Sequence, residues 1–206
     1  MRYPPDHKDA TRTRILEAAA RQFRLKGIGD TSVAAVMKEA ELTHGGVYAH
    51  FESKDDLVGG VIRDGFDHAS DRFESRFAGL QGEAWLRAWV QGYLSEGHLE
   101  HPEIGCPLPS MSAEIGRAGD EVRSAFTRLF TDRIAAVSVH VDAPKPEAER
   151  RVTAALSQMG GAMLLARAVD APLAERLRHA AAEEAFATLR GCTDIKETTC
   201  EEGLER

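Results

Sequence analysis

The chain has 206 residues, of which 43% are hydrophobic and 29% charged, and its formal net charge is −7. This composition is typical of a soluble globular protein with one large or two modest domains, and the lack of any run of 18 apolar residues predicts no membrane span. Three cysteines without a CxxC pair, together with an N-terminus that has no apolar secretory core, lead us to expect a location in the reducing cytoplasm.

The first predicted element is a basic helix from about Lys8 to Lys26, which Gly27 ends. Residues 1–7, with Pro4 and Pro5, are predicted to form a disordered arm. Residues 1–28 carry a balance of +4, although residues 1–60 as a whole are neutral. The basic side chains are therefore either a solvated surface or a set of phosphate contacts.

Residues 31–52 predict two short helices joined by a three-residue turn. The hydroxyls of Thr31 and Ser32 are suited to cap the first helix, and Thr43 is suited to cap the second, which runs from His44 to about His50. Such a pair is typical of a helix-turn-helix, whose second helix enters the DNA major groove with its first turn toward the bases. The first helix and this pair are expected to share a small core of Leu16, Phe23, Val36, Leu42, Val47 and Phe51.

A longer helix is predicted from Ser53 to about Phe77. Asp56 follows Ser53 by three residues, an acidic variant of the capping box. Glycines at 59, 60 and 65 weaken this helix by about 1 kcal/mol each relative to Ala. They indicate either close packing or a place where the helix bends.

The rest of the chain predicts further helices and no strand. Their predicted ranges are 82–97, 108–117, 120–141, 147–168 and 173–189, with a break at 98–109 and a polar, frayed tail at 191–206. Small residues crowd the last two helices, which indicates either ordinary core packing or a four-helix interface with a second chain. The fold class is all-α: a three-helix DNA-binding head at residues 1–52 and a six-helix body at 53–190.

Enzymatic motifs are missing from the sequence. There is no HExxH, no nucleophile elbow and no glycine-rich phosphate loop. His98 and His101 are three residues apart, but no third ligand lies nearby in sequence, so we predict neither a metal site nor a cofactor.

Residues 31–57 resemble the DNA-binding domain of the TetR/AcrR family of bacterial regulators. The resemblance is carried by Thr31-Ser32-Val33 and by the spacing Gly45-x-x-Tyr48-x-His50-Phe51-x-Ser53-Lys54-x-x-Leu57. Glu41 departs from the family, which usually has Gly at this place in the turn. A residue other than Gly with a positive φ costs roughly 1 kcal/mol or more.

The resemblance implies a set of DNA-binding residues around the second short helix. Tyr48 is alternatively a residue at the edge of the core, and His50 is alternatively a structural hydrogen-bonding residue. The implied DNA-binding residues are Thr31, Ser32, Thr43, His44, Gly45, Gly46, Tyr48, His50 and Lys54.

The resemblance also implies an effector cavity in the body. The aromatic stripe of the fifth helix either lines this cavity or belongs to the core. The candidate effector-binding residues are Trp85, Trp89, Tyr93, Cys106, Met111, Phe126 and Met163.

Cys106 lies in a Gly-Cys-Pro sequence that resembles a branch of the family in which some members sense electrophiles. A thiol at a helix N-terminus can have a lowered pKa, and the thiolate is the reactive form. The alternative is a small buried apolar residue.

The sequence therefore predicts a homodimeric DNA-binding transcriptional regulator. It is expected to be a repressor that a small-molecule or thiol-reactive effector releases from a palindromic operator. The alternative is a helical ligand-binding or interaction protein with a non-functional head.

Overall fold

The computed structural model describes residues 5–63 and 75–191, and nearly all of this part of the chain is helical. Within it lie nine α-helices, three short 3₁₀ helices and no β-strand, which confirms the all-α prediction. The α-helices are α1 (Pro5–Lys26), α2 (Val33–Glu39), α3 (helical over 54–63), α4 (Gly82–Tyr93), α5 (Glu96–Glu100), α6 (Pro107–Ile115), α7 (Asp120–Ser138), α8 (Lys145–Ala166) and α9 (Ala171–Arg190). The 3₁₀ helices span His44–Ala49, Ser75–Phe77 and Pro102–Ile104. Across residues 5–63 and 75–191, none of the helices has the length and apolarity that a bilayer span requires.

Several predicted boundaries were wrong for local reasons. The first helix begins at Pro5 rather than Lys8, since the fixed φ of proline suits the first helical position. The predicted helix 82–97 is divided, because the Ser95 side chain accepts a hydrogen bond from the His98 N–H and starts α5 there. The predicted break at 98–109 contains a 3₁₀ helix and the start of α6. The predicted tail from 192 onward, with Cys192 and Cys200, lies outside the described residues, as do Gly65, Phe66 and Phe73.

The head is held by one apolar cluster, which we call the head cluster. It contains the six residues predicted from the sequence, with Leu42 partly buried, and α3 adds Leu57, Val58, Val61 and Ile62. Met111, Ile115, Val122 and Ala125 of α6 and α7 belong to the same cluster. The residues of the predicted head, 1–52, therefore share their core with α3, α6 and α7.

A second apolar cluster, the body cluster, fills the space between α4, α7, α8 and α9. Its largest members are the aromatic side chains of α4, and α8 contributes Leu156, Met159 and Met163. The spacing of Trp85, Trp89 and Tyr93 places all three on the inner side of α4, where each is 5% exposed or less.

A carboxylate of the body binds the loop that follows α1. Glu114 of α6 accepts hydrogen bonds from the N–H groups of Ile28 (2.8 Å) and Gly29 (2.7 Å). Gly27 has φ +87°, and a Cβ there would lie 2.7 Å from Glu114 Oε2. Glycine is therefore required at this position both for its conformation and for the approach of the carboxylate.

The turn after α2 contains the strained residue that the sequence indicated. Glu41 has φ 55°, and among the described residues other than glycine it alone has a positive φ. Its N–H donates to Lys38 O and the next N–H donates to Met37 O, which closes the turn. The turn thus keeps its hydrogen bonds, although Glu41 must adopt the left-handed backbone conformation, which is unfavourable for residues other than glycine.

We expect Glu41→Gly to raise the free energy of unfolding by about 1 kcal/mol, because glycine adopts a positive φ without a Cβ clash. The substitution removes the ion pair with Arg14 at 3.7 Å, in which the glutamate is 88% exposed, so the loss of this pair costs little. Urea unfolding measures the change, with Glu41→Ala as the control that keeps the strain. Equal stability of the two variants would show that the conformation of this turn is not a source of strain.

The glycines of α3 are not equivalent. A Cβ on Gly60 would lie 2.9 Å from Leu16 Cδ2 and 3.1 Å from Phe51 Cε1, inside the head cluster. A Cβ on Gly59 would meet only the flexible side chain of Arg63, at 3.2 Å. Close packing is thus the reason for glycine at position 60.

Gly60→Ala and Gly59→Ala are expected to change stability in opposite directions. The first overfills the head cluster and should lower the free energy of unfolding by about 1–3 kcal/mol. The second improves helix propensity and should raise it by up to about 1 kcal/mol. Urea unfolding of the matched pair tests this, and a stabilised Gly60→Ala variant would contradict the packing argument.

Candidate DNA-contact surface and inner polar cluster

The helix-turn-helix predicted from the sequence is formed by α2, the turn and the 3₁₀ helix His44–Ala49. The second helix is 3₁₀ rather than α, a correction consistent with two glycines in its first turn, which have low helix propensity. Thr43 precedes it as the N-cap but makes no hydrogen bond with its side chain. Ser32 caps α2 as predicted, with its hydroxyl accepting from the Ala35 N–H at 3.1 Å.

The side chain of Thr31 is buried and does not lie on the protein surface. It is 1% exposed, and its hydroxyl donates to Gly27 O at 2.7 Å. The prediction that the Thr31 side chain contacts DNA is therefore wrong. Its hydroxyl holds the loop after α1 against the start of α2.

The outer side of the 3₁₀ helix is a polar, exposed surface. Tyr48 is 64% exposed, so the alternative that it is a residue at the edge of the core is wrong. Thr43 is also exposed. Gly46 faces inward, since a Cβ there would lie 3.5 Å from Met37 Cε. The described backbone places His44 and Gly45 in the first turn of the 3₁₀ helix.

His50 lies among basic side chains of α1. Burial, followed by the positive charges of Lys8 and Arg12, lowers the pKa of His50, and its Nδ1 is buried without a hydrogen-bond partner in the described structure. The Arg12 guanidinium lies 5.1 Å from the centre of the Phe51 ring. We call Lys8, Arg12 and His50 the basic group beside the 3₁₀ helix, and its positive charge comes from Lys8 and Arg12 because the lowered pKa favours a neutral His50 ring.

Three further basic residues of α1 contact other parts of the protein. Arg14 donates to Ala40 O at 2.6 Å, Arg21 pairs with Glu39 at 3.3 Å, and Arg24 donates to Glu103 O at 3.3 Å. Lys54 at the start of α3 donates to Gly29 O at 3.3 Å. The basic character of the first helix is therefore divided between internal contacts and the group around His50.

In the body, the structure brings together five of the predicted effector residues. Trp85, Trp89, Tyr93 and Met163 belong to the body cluster, and Cys106 packs against it. The Trp85 and Trp89 rings stack with centroids 6.0 Å apart, and Trp89 and Tyr93 are 6.5 Å apart.

The other two predicted effector-binding residues, Met111 and Phe126, pack with the head cluster, which corrects the prediction that they line the same site as the aromatic stripe. Met111 is fully buried in the head cluster, and Phe126 packs against that cluster too, because this part of α6 and α7 lies under the head. Met111 is thus separated from the aromatic stripe. Phe126 keeps a link to the body through its stacked contact with Phe130, at 6.2 Å.

A group of polar side chains lies where α4, α5, α6 and α8 meet. We call it the inner polar cluster, and its members are Tyr93, His98, Cys106, Ser110 and Arg167. His98 Nε2 accepts from the Cys106 N–H at 3.0 Å, so the ring proton is on Nδ1, which donates to Tyr93 O at 2.6 Å. Burial lowers the pKa of His98, in agreement with a neutral ring. Both ring nitrogens are thus used, and no group of three metal-ligating side chains occurs among the described residues.

Arg167 and Ser110 were missed from the sequence. The Arg167 guanidinium donates to Ser110 Oγ at 2.7 Å and to His98 O at 2.9 Å. The sequence signal was a single arginine directly after the apolar end of α8.

Cys106 is the N-cap of α6, as its Gly-Cys-Pro sequence predicted. Burial nevertheless raises the pKa of its thiol, and a backbone hydrogen bond, the Tyr93 hydroxyl and the charge of Arg133 only partly offset that effect. Enclosure of the sulfur thus opposes the lowering that a helix terminus can produce, although the residue as a whole is only partly buried. A raised pKa favours the protonated thiol, which is a weak nucleophile.

The last two helices present an apolar face to the outside. Leu164 and Leu165 of α8 are 53% and 54% exposed, and Leu173 of α9 is 39% exposed. Ala154, Ala168, Val169 and Ala180 are exposed around them. We call these seven residues the outer α8–α9 face. Most of the other small residues, such as Ala155, Gly160 and Ala185, are buried within the chain, so only part of the small-residue pattern is available to a second chain.

Comparison with known proteins agrees with this geometry. Residues 15–61, which cover most of α1 through the described part of α3, match the family model of bacterial regulatory proteins of the tetR family. The HTH-type transcriptional regulator UidR of Escherichia coli is 25% identical over 185 residues, covering 76% of this chain and 94% of UidR. The HTH-type transcriptional repressor KstR2 of Rhodococcus jostii is 32% identical over 84 residues, covering 40% of this chain and 41% of KstR2.

Solved structures share the whole fold. A TetR-family regulator from Cytophaga hutchinsonii has a TM-score of 0.73 and 18% identity, covering 91% of this chain and 97% of that one. The reduced form of E. coli NemR has a TM-score of 0.71 and 18% identity, covering 88% of this chain and 96% of that one. At this level of identity the two structures support the fold alone.

Proposed function

We propose that this protein, a DNA-binding transcriptional regulator of the TetR type, is a homodimeric repressor that a small molecule releases from a palindromic operator. The observation that carries the proposal is the exposed 3₁₀ helix of the head, within the stretch that matches the tetR-family model. An exposed helix of this kind beside basic side chains is suited to the major groove and its flanking phosphates.

On this proposal the contacts to DNA divide into two groups. Thr43, Tyr48 and the basic group of Lys8, Arg12 and His50 bind phosphates. His44 and the backbone at Gly45 and Gly46 approach the base edges. Ser32 and Lys54 act at the border of this surface, with each also making an internal contact.

The outer α8–α9 face supports the proposed dimer. An exposed apolar patch of this kind marks a contact surface in a soluble protein. A two-fold axis through the face makes it self-complementary and sets two heads against successive major grooves.

Release by a non-covalent effector is favoured over release by a thiol-reactive one. The raised pKa of Cys106 keeps the sulfur protonated, and the residue is packed against the body cluster. The aromatic side chains of α4 and the inner polar cluster offer a binding site with apolar walls and few polar groups, as is usual for small molecules. The effector needs to bind the DNA-free arrangement only a few kcal/mol more tightly to empty the operator.

The test is selection of binding sites from random duplex DNA with the full-length protein, followed by affinity measurements across a salt series. We expect a palindromic site and a steep decrease of affinity with salt, because phosphate contacts release counterions. Tyr48→Ala should weaken binding to this site, whereas Arg87→Ala, an exposed change in the body, should not. Failure to select any sequence would instead support the alternative of a helical binding protein with a non-functional head.

A further inference from the structure

The hydroxyl of Tyr93 is a buried polar group without a partner. The residue is 5% exposed, and its oxygen makes no hydrogen bond within the described structure. The hydroxyl interacts with the neighbouring Cys106 thiol, although not at the geometry of a hydrogen bond. Buried polar groups nearly always have a partner, so an unpaired one indicates a position that a bound molecule fills.

The guanidinium of Arg167 also has a buried polar atom without a hydrogen-bond partner. It donates to two neutral oxygens, those of Ser110 and His98, while its Nε is buried without an acceptor. Within residues 5–63 and 75–191 it forms no salt bridge with a carboxylate. The side chain is partly buried, and its charge and its Nε without an acceptor favour an anion beside it.

The surroundings also carry positive charge at this place. A second guanidinium, that of Arg133, lies 5.9 Å from the centre of the Trp89 ring. Burial is the largest influence on the Tyr93 phenol and raises its pKa, whereas the charges of Arg167 and Arg133 oppose that effect. Both arginines therefore act on the position of the Tyr93 hydroxyl.

The apolar walls define the rest of the ligand. Trp89 and Tyr93 present aromatic surface, and Met159 and Met163 lie in the same cluster. Gly160 of α8 faces the hydroxyl, since a Cβ there would lie 3.9 Å from Tyr93 Oη. A side chain larger than glycine at this point would therefore be in direct contact with the hydroxyl.

We propose that the inner polar cluster binds the carboxylate of a small aromatic acid, which the Tyr93 hydroxyl and the Arg167 guanidinium receive while the ring packs against Trp89. This assignment rests on the proposed function, because it names the chemical class of the effector. An ionised carboxylate satisfies both unpaired donors and supplies the missing negative charge.

The experiment is isothermal titration of the full-length protein with benzoate, phenylacetate and 3-phenylpropionate, each compared with its neutral amide. We expect at least one acid to bind about tenfold or more tightly than its amide, because charge-assisted hydrogen bonds discriminate by that amount. Both tryptophans of the chain are in the body cluster, so a change in intrinsic fluorescence places the acid there. No preference for any of the three acids over its amide overturns the proposal.

Two variants separate a ligand-binding role from a structural one. Tyr93→Phe should weaken binding of the acid about tenfold and leave the urea midpoint unchanged or higher, because the hydroxyl has no internal partner to lose. Arg167→Gln should also weaken acid binding. The matched change Arg178→Gln should not, although Arg178 also has a buried Nε without an acceptor and also bonds a carbonyl, that of Leu94. Unchanged acid affinity in Tyr93→Phe, or equal losses in the two arginine variants, overturns the assignment.

The same acids added to the operator complex distinguish this inference from the proposed function. Binding of the acid without release of DNA leaves the site assignment intact and contradicts release by this effector. Release of DNA by neutral compounds alone, equally in wild type and Tyr93→Phe, leaves the regulator intact and contradicts the site.

Discussion

Leu164→Glu is expected to convert the proposed dimer into a monomer and to weaken operator binding at least about 30-fold. Leu164 belongs to the outer α8–α9 face and is 53% exposed, so a charge there leaves the fold of the single chain intact. A two-fold interface buries each substituted residue twice, and two buried carboxylates without partners oppose association strongly. Specific binding typically exceeds non-specific binding by about 10³–10⁷, and one head supplies only about half of the corresponding free energy.

Sedimentation velocity and fluorescence anisotropy with the selected operator measure the two effects. The matched control is Val139→Glu at the C-cap of α7, because Val139 is 78% exposed and lies outside the outer α8–α9 face. This control should remain dimeric and bind normally. A dimeric Leu164→Glu variant would move the interface elsewhere, and a monomeric variant with full affinity would show that one head is sufficient.

Phe23→Ala should lower the free energy of unfolding by about 3–5 kcal/mol, the usual cost of removing a buried aromatic side chain. Phe23 of α1 is 1% exposed inside the head cluster. Leu25→Ala on the same helix is the control, since that side chain is 51% exposed and its loss should cost about 0.5 kcal/mol or less.

The same variant tests whether head and body unfold together. Both tryptophans lie in the body cluster, so their fluorescence follows the body, whereas circular dichroism follows all helices. We expect the two urea transitions to coincide in wild type and in Phe23→Ala, because α6 and α7 contribute to the head cluster and are continuous with the body. An early loss of helical signal with unchanged fluorescence would show that the head unfolds by itself.

Most of the head could be predicted from the sequence because its signals are local. The apolar spacing of α1 and α2, the cap at Ser32 and the positive φ of Glu41 each depend on a few neighbouring residues. The same rules did not predict that the second helix is 3₁₀, since spacing over six residues does not distinguish the two helix types.

The body site was predicted only where its residues share one helix. The aromatic residues of α4 are four apart and lie on one face, so their grouping follows from periodicity. Arg167 and Ser110 are 57 residues apart, and only the packing of α6 against α8 brings them together. For Cys106, the position at a helix N-terminus predicts a lowered pKa. Enclosure by residues that are distant in sequence instead raises the pKa.

The hydrogen bonds from Ile28 and Gly29 to Glu114 bear on how this head can be exchanged between proteins. A chimera joined after residue 52 would transplant a head without α3, without the Glu114 carboxylate and without Met111, Ile115, Val122 and Ala125. The transplanted loop would then keep two N–H groups without their acceptor, and the new core would contain an opening where α6 and α7 had packed. The exchangeable unit of this protein is therefore discontinuous in sequence, and its recombination with a foreign body succeeds only where that body supplies an equivalent carboxylate and apolar surface.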